Sequence, residues 1–316
     1  MRWDFQSVAV VGSGAIGLYY GARLAASGKD VRFLLRSDFD AVMRDGIRIE
    51  SVHGDLSLQQ VSGFSSPAEI GPVDLVVVAW KATSNHLLEI VLPPLLHPGT
   101  QVLTLQNGLG NCEQLAEICG PERVLGGLCF VCCNRTGPGQ VRHSAGGKVA
   151  VGEFAAGVEG RAANIASAFK QANVPASVAL NLHQAQWEKL VWNIPFNGLS
   201  VAMGGVTTGE ILDSPECEAR VARLMTEVVH AARAQGLPLD DSLVSFNIER
   251  TRPMGPYRTS SMIDFIEGRE VELDNIWRIP CQRARAACCP MPETEQLLGE
   301  IEATINARDS GRKSNL

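Results

Sequence analysis

The chain has 316 residues, 45% hydrophobic and 20% charged, with a net charge of −6 and a pI near 5.6. This is ordinary globular composition, long enough for two domains with separate cores. No basic block is present, which argues against nucleic acid as a partner and leaves room only for a local phosphate pocket.

The first segment, "MRWDFQSVAVVG", runs directly into a strand and lacks the apolar stretch of a signal peptide. "SVAVVGSGAIGLYYGARLAASGKDVRFLLR" then reads as strand, glycine turn, helix over 15–27 and strand over 31–35, one βαβ unit. "IRIE" and "LSLQQV" read as a hairpin or irregular excursion around His53 and Gly54. "VDLVVVAWK" is a continuous apolar strand, as expected when both sheet faces are covered. "HLLEIVLPPLLHPG" reads as a helix ended by prolines, "TQVLTLQNG" as a strand and "CEQLAEIC" as a helix. "VLGGLCFVCCN", "GQVRHS" and "KVAVGEF" read as three strands, with "RTGPG" as a turn and "RAANIASAFKQAN" as a further helix. From about residue 182 the pattern is helical: 182–203, 215–235, 240–250, 258–267, 271–288 and 293–307. The expected architecture is therefore α/β followed by all-α, with domains over 1–180 and 181–316.

The nine cysteines are odd in number, and the lone CxxC, at Cys129 and Cys132, lies in an apolar run. No partner pair stands at zinc spacing, so packed, reduced thiols in a cytoplasmic protein are expected and no metal site. None of the histidines shows ligand spacing. Residues 190–209 carry no charge and are long enough to cross a bilayer. Asn193, Asn197, Pro195 and four glycines would then face lipid, so a membrane span is rejected.

"VVGSGAIG" matches GxGxxG at Gly12, Gly14 and Gly17 in the context the motif requires, after a strand and opening a helix. The loop Gly12, Ser13, Gly14, Ala15, Ile16 and Gly17 is expected to bind a dinucleotide pyrophosphate at the helix N-terminus. An NAD site usually ends the second strand with a carboxylate for the ribose. Here the strand is expected to end at Arg36, whose guanidinium suits a 2′-phosphate, so NADP(H) is favoured. The alternatives are a surface arginine, or Asp38 or Asp40 serving a ribose.

"WEKLVWNIPFNGLS" sets Lys189, Asn193 and Asn197 at i, i+4 and i+8, one helix face, with Pro195 between the asparagines. A solvent face would use better helix formers than asparagine. A structural polar network and the lining of a small cleft remain as even alternatives on these residues alone. Carbonyl reduction tips the balance, since it needs a proton donor and fixed polar hands for the substrate.

Taken together, these motifs resemble the ketopantoate reductase (2-dehydropantoate 2-reductase) family, in order over nearly the whole chain. "VGSGAIG" and "LLR" resemble its NADPH loop and 2′-phosphate arginine. "VAWKATS" resembles a lysine motif, pointing to Lys81. "LQNGLGN" resembles an asparagine–glycine loop, pointing to Asn107 beside nicotinamide ribose and substrate. "WEKLVWNIPFN" resembles the segment with the proton-donating lysine and two substrate-binding asparagines. "TSSMIDFIEGREVELD" implies Ser261 as a carboxylate contact and Glu272 as a cofactor or substrate-hydroxyl contact. The resemblance implies a Rossmann-type domain with a helical domain like the 6-phosphogluconate dehydrogenase C-terminal one, and NADPH-dependent reduction of a small 2-oxo acid in pantothenate biosynthesis. It leaves a homodimer open. Two departures fall on the substrate side: Thr208 stands where the family often has an asparagine, and the serine-to-glutamate spacing is one residue short. Plainer readings are a strand-end cap for Lys81, a turn residue for Asn107, a helix cap for Ser261 and a solvated charge for Glu272.

Overall fold

The computed structural model describes residues 4–157 and 159–313. The chain divides into two compact units, Met1–Asn107 with Asn111–Leu182, and Gly108–Gly110 with His183–Leu316. A short piece of the first half of the sequence thus folds with the second.

The first unit is built on one sheet: β1 (Ser7–Val11), β2 (Asp30–Leu34), β3 (Ile47–Ser51), β4 (Leu56–Leu58), β5 (Ser62–Phe64), β6 (Leu75–Val78), β7 (Gln101–Thr104), β8 (Val124–Gly137), β9 (Gln140–Glu153) and β10 (Ala176–Val178). Its helices are α1 (Ala15–Ala26), α2 (Phe39–Asp45), α3 (Pro67–Ile70), α4 (Leu88–Val91), α5 (Asn111–Cys119) and α6 (Arg161–Gln171). The order β8-β7-β6-β1-β2-β5 is parallel throughout, as in a doubly wound dinucleotide fold. From β1 the chain moves outward to β2 and later returns to β6 on the other side. The strand order therefore reverses between β1 and β6, the place where such sheets bind ligands. The apolar runs of β1 and β6 are buried, with Leu18, Phe33, Leu103 and Phe169 in the core around them.

Three expectations need correction. The three closing strands are two, because "GQVRHS" and "KVAVGEF" are a single strand, β9, antiparallel to β8. Register shifts between Phe130 and Val131 and between Cys132 and Cys133 absorb the irregular sequence that looks like an interruption. "HLLEIVLPPLLHPG" is not one helix but α4 flanked by 3₁₀ turns, Ala82–Leu87 and Pro93–Leu95, because proline denies the helix its amides. β2 ends at Leu34, so Arg36 lies in the turn beyond the strand. The hairpin of β3 and β4 forms as expected, and β3 also pairs with β9.

The second unit is helical: α7 (Leu182–Ala202), α8 (Thr208–Leu212), α9 (Pro215–Ala234), α10 (Ser242–Thr251), α11 (Ser260–Glu267), a π turn (Asp274–Arg278) leading into α12 (Ile279–Ala286), and α13 (Pro292–Lys313). Trp187, Ile194, Phe196, Met225, Trp277 and Leu297 are among the buried side chains of its core. α7 continues through Pro195. No helix among the described residues is long and apolar enough to cross a membrane.

Candidate functional site

The glycine loop occupies the end of β1. Gly12 has φ +108°, and a Cβ there would collide with the backbone nitrogen of Trp80, just past β6. A Cβ on Gly17 would collide with the carbonyl oxygen of Gly12, so this glycine lets α1 sit directly on the turn. A Cβ on Gly14 would meet open space. Gly14 is also the N-cap of α1 and provides no side-chain cap, and the first turn holds no acidic residue. The amides of Ala15, Ile16 and Gly17 therefore begin a twelve-residue helix with no side-chain cap at its start. This arrangement suits a pyrophosphate.

Arg36 is exposed and has no ion-pair or side-chain hydrogen-bond partner among the described residues. Asp38, an alternative ribose ligand on the sequence alone, is buried. Its carboxylate accepts from Arg135 and from the amide of Gly139 at 3.1 Å. That engagement withdraws Asp38 from the turn, where Arg36 and Asp40 are both exposed.

Lys81 is exposed and starts the 3₁₀ turn after β6. Asn107 follows β7, and its carbonyl accepts from Asn111 Nδ2 at 2.9 Å. An amide network, not legible in the sequence, ties these two loops together. Asn85 Oδ1 accepts from Trp80 Nε1 at 3.1 Å and Gln106 Nε2 at 2.7 Å, and Asn85 Nδ2 donates to Asn111 Oδ1 at 3.0 Å.

In the helical unit, the residues of the α7 stripe differ in what they bond. Asn197, 2% exposed, donates from Nδ2 to the carbonyl of Asn193 at 3.1 Å, and its Oδ1 accepts from the amide of Ser261 at 3.1 Å. It thereby holds the N-terminal turn of α11. The cap of α11 is Thr259, whose hydroxyl accepts from Met262 N at 3.2 Å, so Ser261 is not the capping residue. The hydroxyl of Ser261 and the side-chain amide of Asn193 have no hydrogen-bond partner among the described residues. Lys189, half-buried, lies one turn before Asn193. The structure thus brings Asn193, Asn197 and Ser261 together on one scaffold.

Glu272 is 5% exposed, which removes the reading as a solvated charge. It lies two residues before the π turn, and its carbonyl accepts from Ile276 N. Thr208 is fully buried. Its hydroxyl donates to the carbonyl of Gly255 at 3.1 Å and its amide to that of Tyr257 at 3.0 Å. It fastens the segment leading into α11 instead of presenting a polar hand. The capping pair Thr207 and Glu210 that starts α8 was a readable signal in "VTTGE".

Two family models match in order: "Ketopantoate reductase PanE/ApbA" over residues 8–156 and "Ketopantoate reductase PanE/ApbA C terminal" over 181–304. A 2-dehydropantoate 2-reductase of Nostoc sp. is 39% identical over 299 residues, covering 93% of each chain. The crystal structure of 2-dehydropantoate 2-reductase from Geobacter metallireducens GS-15 superposes with a TM-score of 0.92 at 43% identity, covering 94% of this chain and 99% of that one. The enzyme of the same name from Methylococcus capsulatus gives a TM-score of 0.87 at 32% identity, covering 96% and 97%.

Proposed function

The chain belongs to the ketopantoate reductase family, and on that premise we propose that it reduces 2-dehydropantoate to pantoate with NADPH. When bound, the dinucleotide supplies the hydride for the keto carbon. The amides at residues 12–17 hold its pyrophosphate and Arg36 its 2′-phosphate, while Lys81 and Asn107 hold the part nearer the reaction. Lys189 Nζ donates a proton to the carbonyl oxygen as negative charge develops there. Asn193 and Ser261 bind the carboxylate and hydroxyl of the substrate, at the positive end of α11. Asn197 keeps Ser261 in place and retains one Nδ2 hydrogen for the same substrate. Glu272 orients the reacting end.

The observation that carries this reading is the bond from Ser261 N to Asn197 Oδ1, which sets two uncommitted polar side chains, those of Asn193 and Ser261, beside the lysine-bearing face of α7. The test is Lys189→Ala under steady-state turnover. A fall in kcat of about 10²–10⁴-fold is expected for loss of a general acid. An unchanged kcat would remove Lys189 from the proton-donor role.

A second reading, reduction of another 2-oxo acid, is favoured by one feature. Thr208 is engaged with Gly255 and so adds no polar contact on the substrate side. The reaction class is the same in both readings.

A further inference from the structure

The segment Gly108–Gly110 packs with the helical unit, although Asn107 before it and Asn111 after it belong to the first unit. Its docking is specific. Leu109 N donates to the carbonyl of Asn275 at 2.9 Å, and Asn275 Nδ2 donates to the carbonyl of Leu109 at 2.8 Å. One buried residue, 6% exposed, thus satisfies both backbone groups of Leu109. Gly108 has φ +81°, and a Cβ there would collide with the Asn275 carbonyl, so only glycine permits this approach.

The helix itself explains why Asn275 has a carbonyl to offer. In the π turn, Ile279 N donates to Asp274 O, five residues back. An α-helical turn would have given that amide to Asn275. The next donor in the π register is residue 280, which is proline and has no N–H. In that register the donor facing the Asn275 carbonyl would be the missing N–H of Pro280, and the carbonyl accepts from Leu109 N.

Resting on the role given above to Asn107, we propose that Asn275 is a positioning residue for the reduction. By gripping Leu109 it fixes where the chain leaves Asn107, and so the direction in which Asn107 presents its amide. The π turn and Pro280 are the device that aims a helix carbonyl at this loop.

A double-mutant cycle tests this, with kcat for 2-dehydropantoate and NADPH measured for Asn275→Ala, Asn107→Ala and the pair. Asn275→Ala alone is expected to lower kcat on the order of tenfold, but by less than about twofold in the Asn107→Ala background. A role confined to folding would lower kcat equally in both backgrounds, and that result overturns the proposal. If the alanine variant fails to fold, Asn275→Asp replaces it. It keeps the shape, removes the donor to Leu109 O and is expected to show the same non-additivity. Should Asn107→Ala retain the wild-type kcat, the assignment of Asn107 fails first. Should Asn107→Ala be slow and the losses additive, only the clasp fails.

Discussion

The two asparagines of α7 are chemically identical and four residues apart, yet the structure predicts opposite consequences for removing them. In Asn197→Ala, two hydrogen bonds at 3.1 Å and a longer one from Ser260 Oγ at 3.4 Å disappear from a site 2% exposed, and the amide of Ser261 loses its acceptor. An orphaned buried donor costs about 1–3 kcal/mol. Alanine returns about 0.6 kcal/mol in helix propensity, so the net loss is about 0.5–2.5 kcal/mol. At about 2–4 °C per kcal/mol, Tm should fall by about 1–10 °C. Asn193→Ala removes no side-chain bond among the described residues and leaves the Asn193 carbonyl in place for Asn197. Its Tm should be unchanged or slightly raised. Its KM for the 2-oxo acid should rise about tenfold or more, the worth of a hydrogen bond to a carboxylate. Thermal unfolding of the apoprotein with steady-state kinetics on both variants reads the two effects separately. If Asn193→Ala destabilised as much as Asn197→Ala and left KM alone, the division of the stripe into a binding and a holding residue would be wrong.

Two further outcomes follow from charged groups. Arg36→Gln should raise the KM for NADPH about 10–100-fold and change that for NADH little, because only the former has a 2′-phosphate for the guanidinium; equal effects on both coenzymes would remove Arg36 from the 2′-phosphate site. On the helical unit, Arg220 bonds Glu293 at 2.9 Å and Glu300 at 2.8 Å. The Arg220 hydrogen bond, opposed by burial, holds the Glu300 carboxyl below its ordinary 4.5. A depressed carboxyl contributes stability that is complete above its ordinary value and is lost as pH falls through the lower folded one. Tm measured from about pH 5 to pH 3 should therefore fall less steeply in Arg220→Met than in the wild type, and parallel curves would refute the linkage.

What the sequence makes legible is what lies close together along it. The glycine turn, its strand and its helix occupy residues 7–26, and each glycine has the steric reason the motif assigns to it. The helical stripe shows Lys189, Asn193 and Asn197 on one face because that depends on helix period alone. Which of the asparagines holds the fold depends on Ser261, 64 residues from Asn197, and no local pattern carries that. The clasp between Leu109 and Asn275 spans 166 residues and uses one backbone bond and one side-chain amide, so neither partner looks unusual in sequence. β8 and β9 are obscured for a different reason. Their register shifts and glycines break the alternation by which a long strand is recognised. The capping pairs Ser66 with Glu69 and Thr207 with Glu210 were readable and mark α3 and α8, short helices that hydrophobic periodicity is too coarse to find.

The central claim is reduction of a 2-oxo acid by a nicotinamide dinucleotide held on the glycine loop. Initial rates across a panel of 2-oxo acids, each with NADPH and with NADH, test it most directly. The account predicts turnover with NADPH, fastest for 2-dehydropantoate and slower with NADH. Tight NADPH binding with no oxidation of it by any 2-oxo acid would contradict the claim and leave a nucleotide-binding protein without this chemistry.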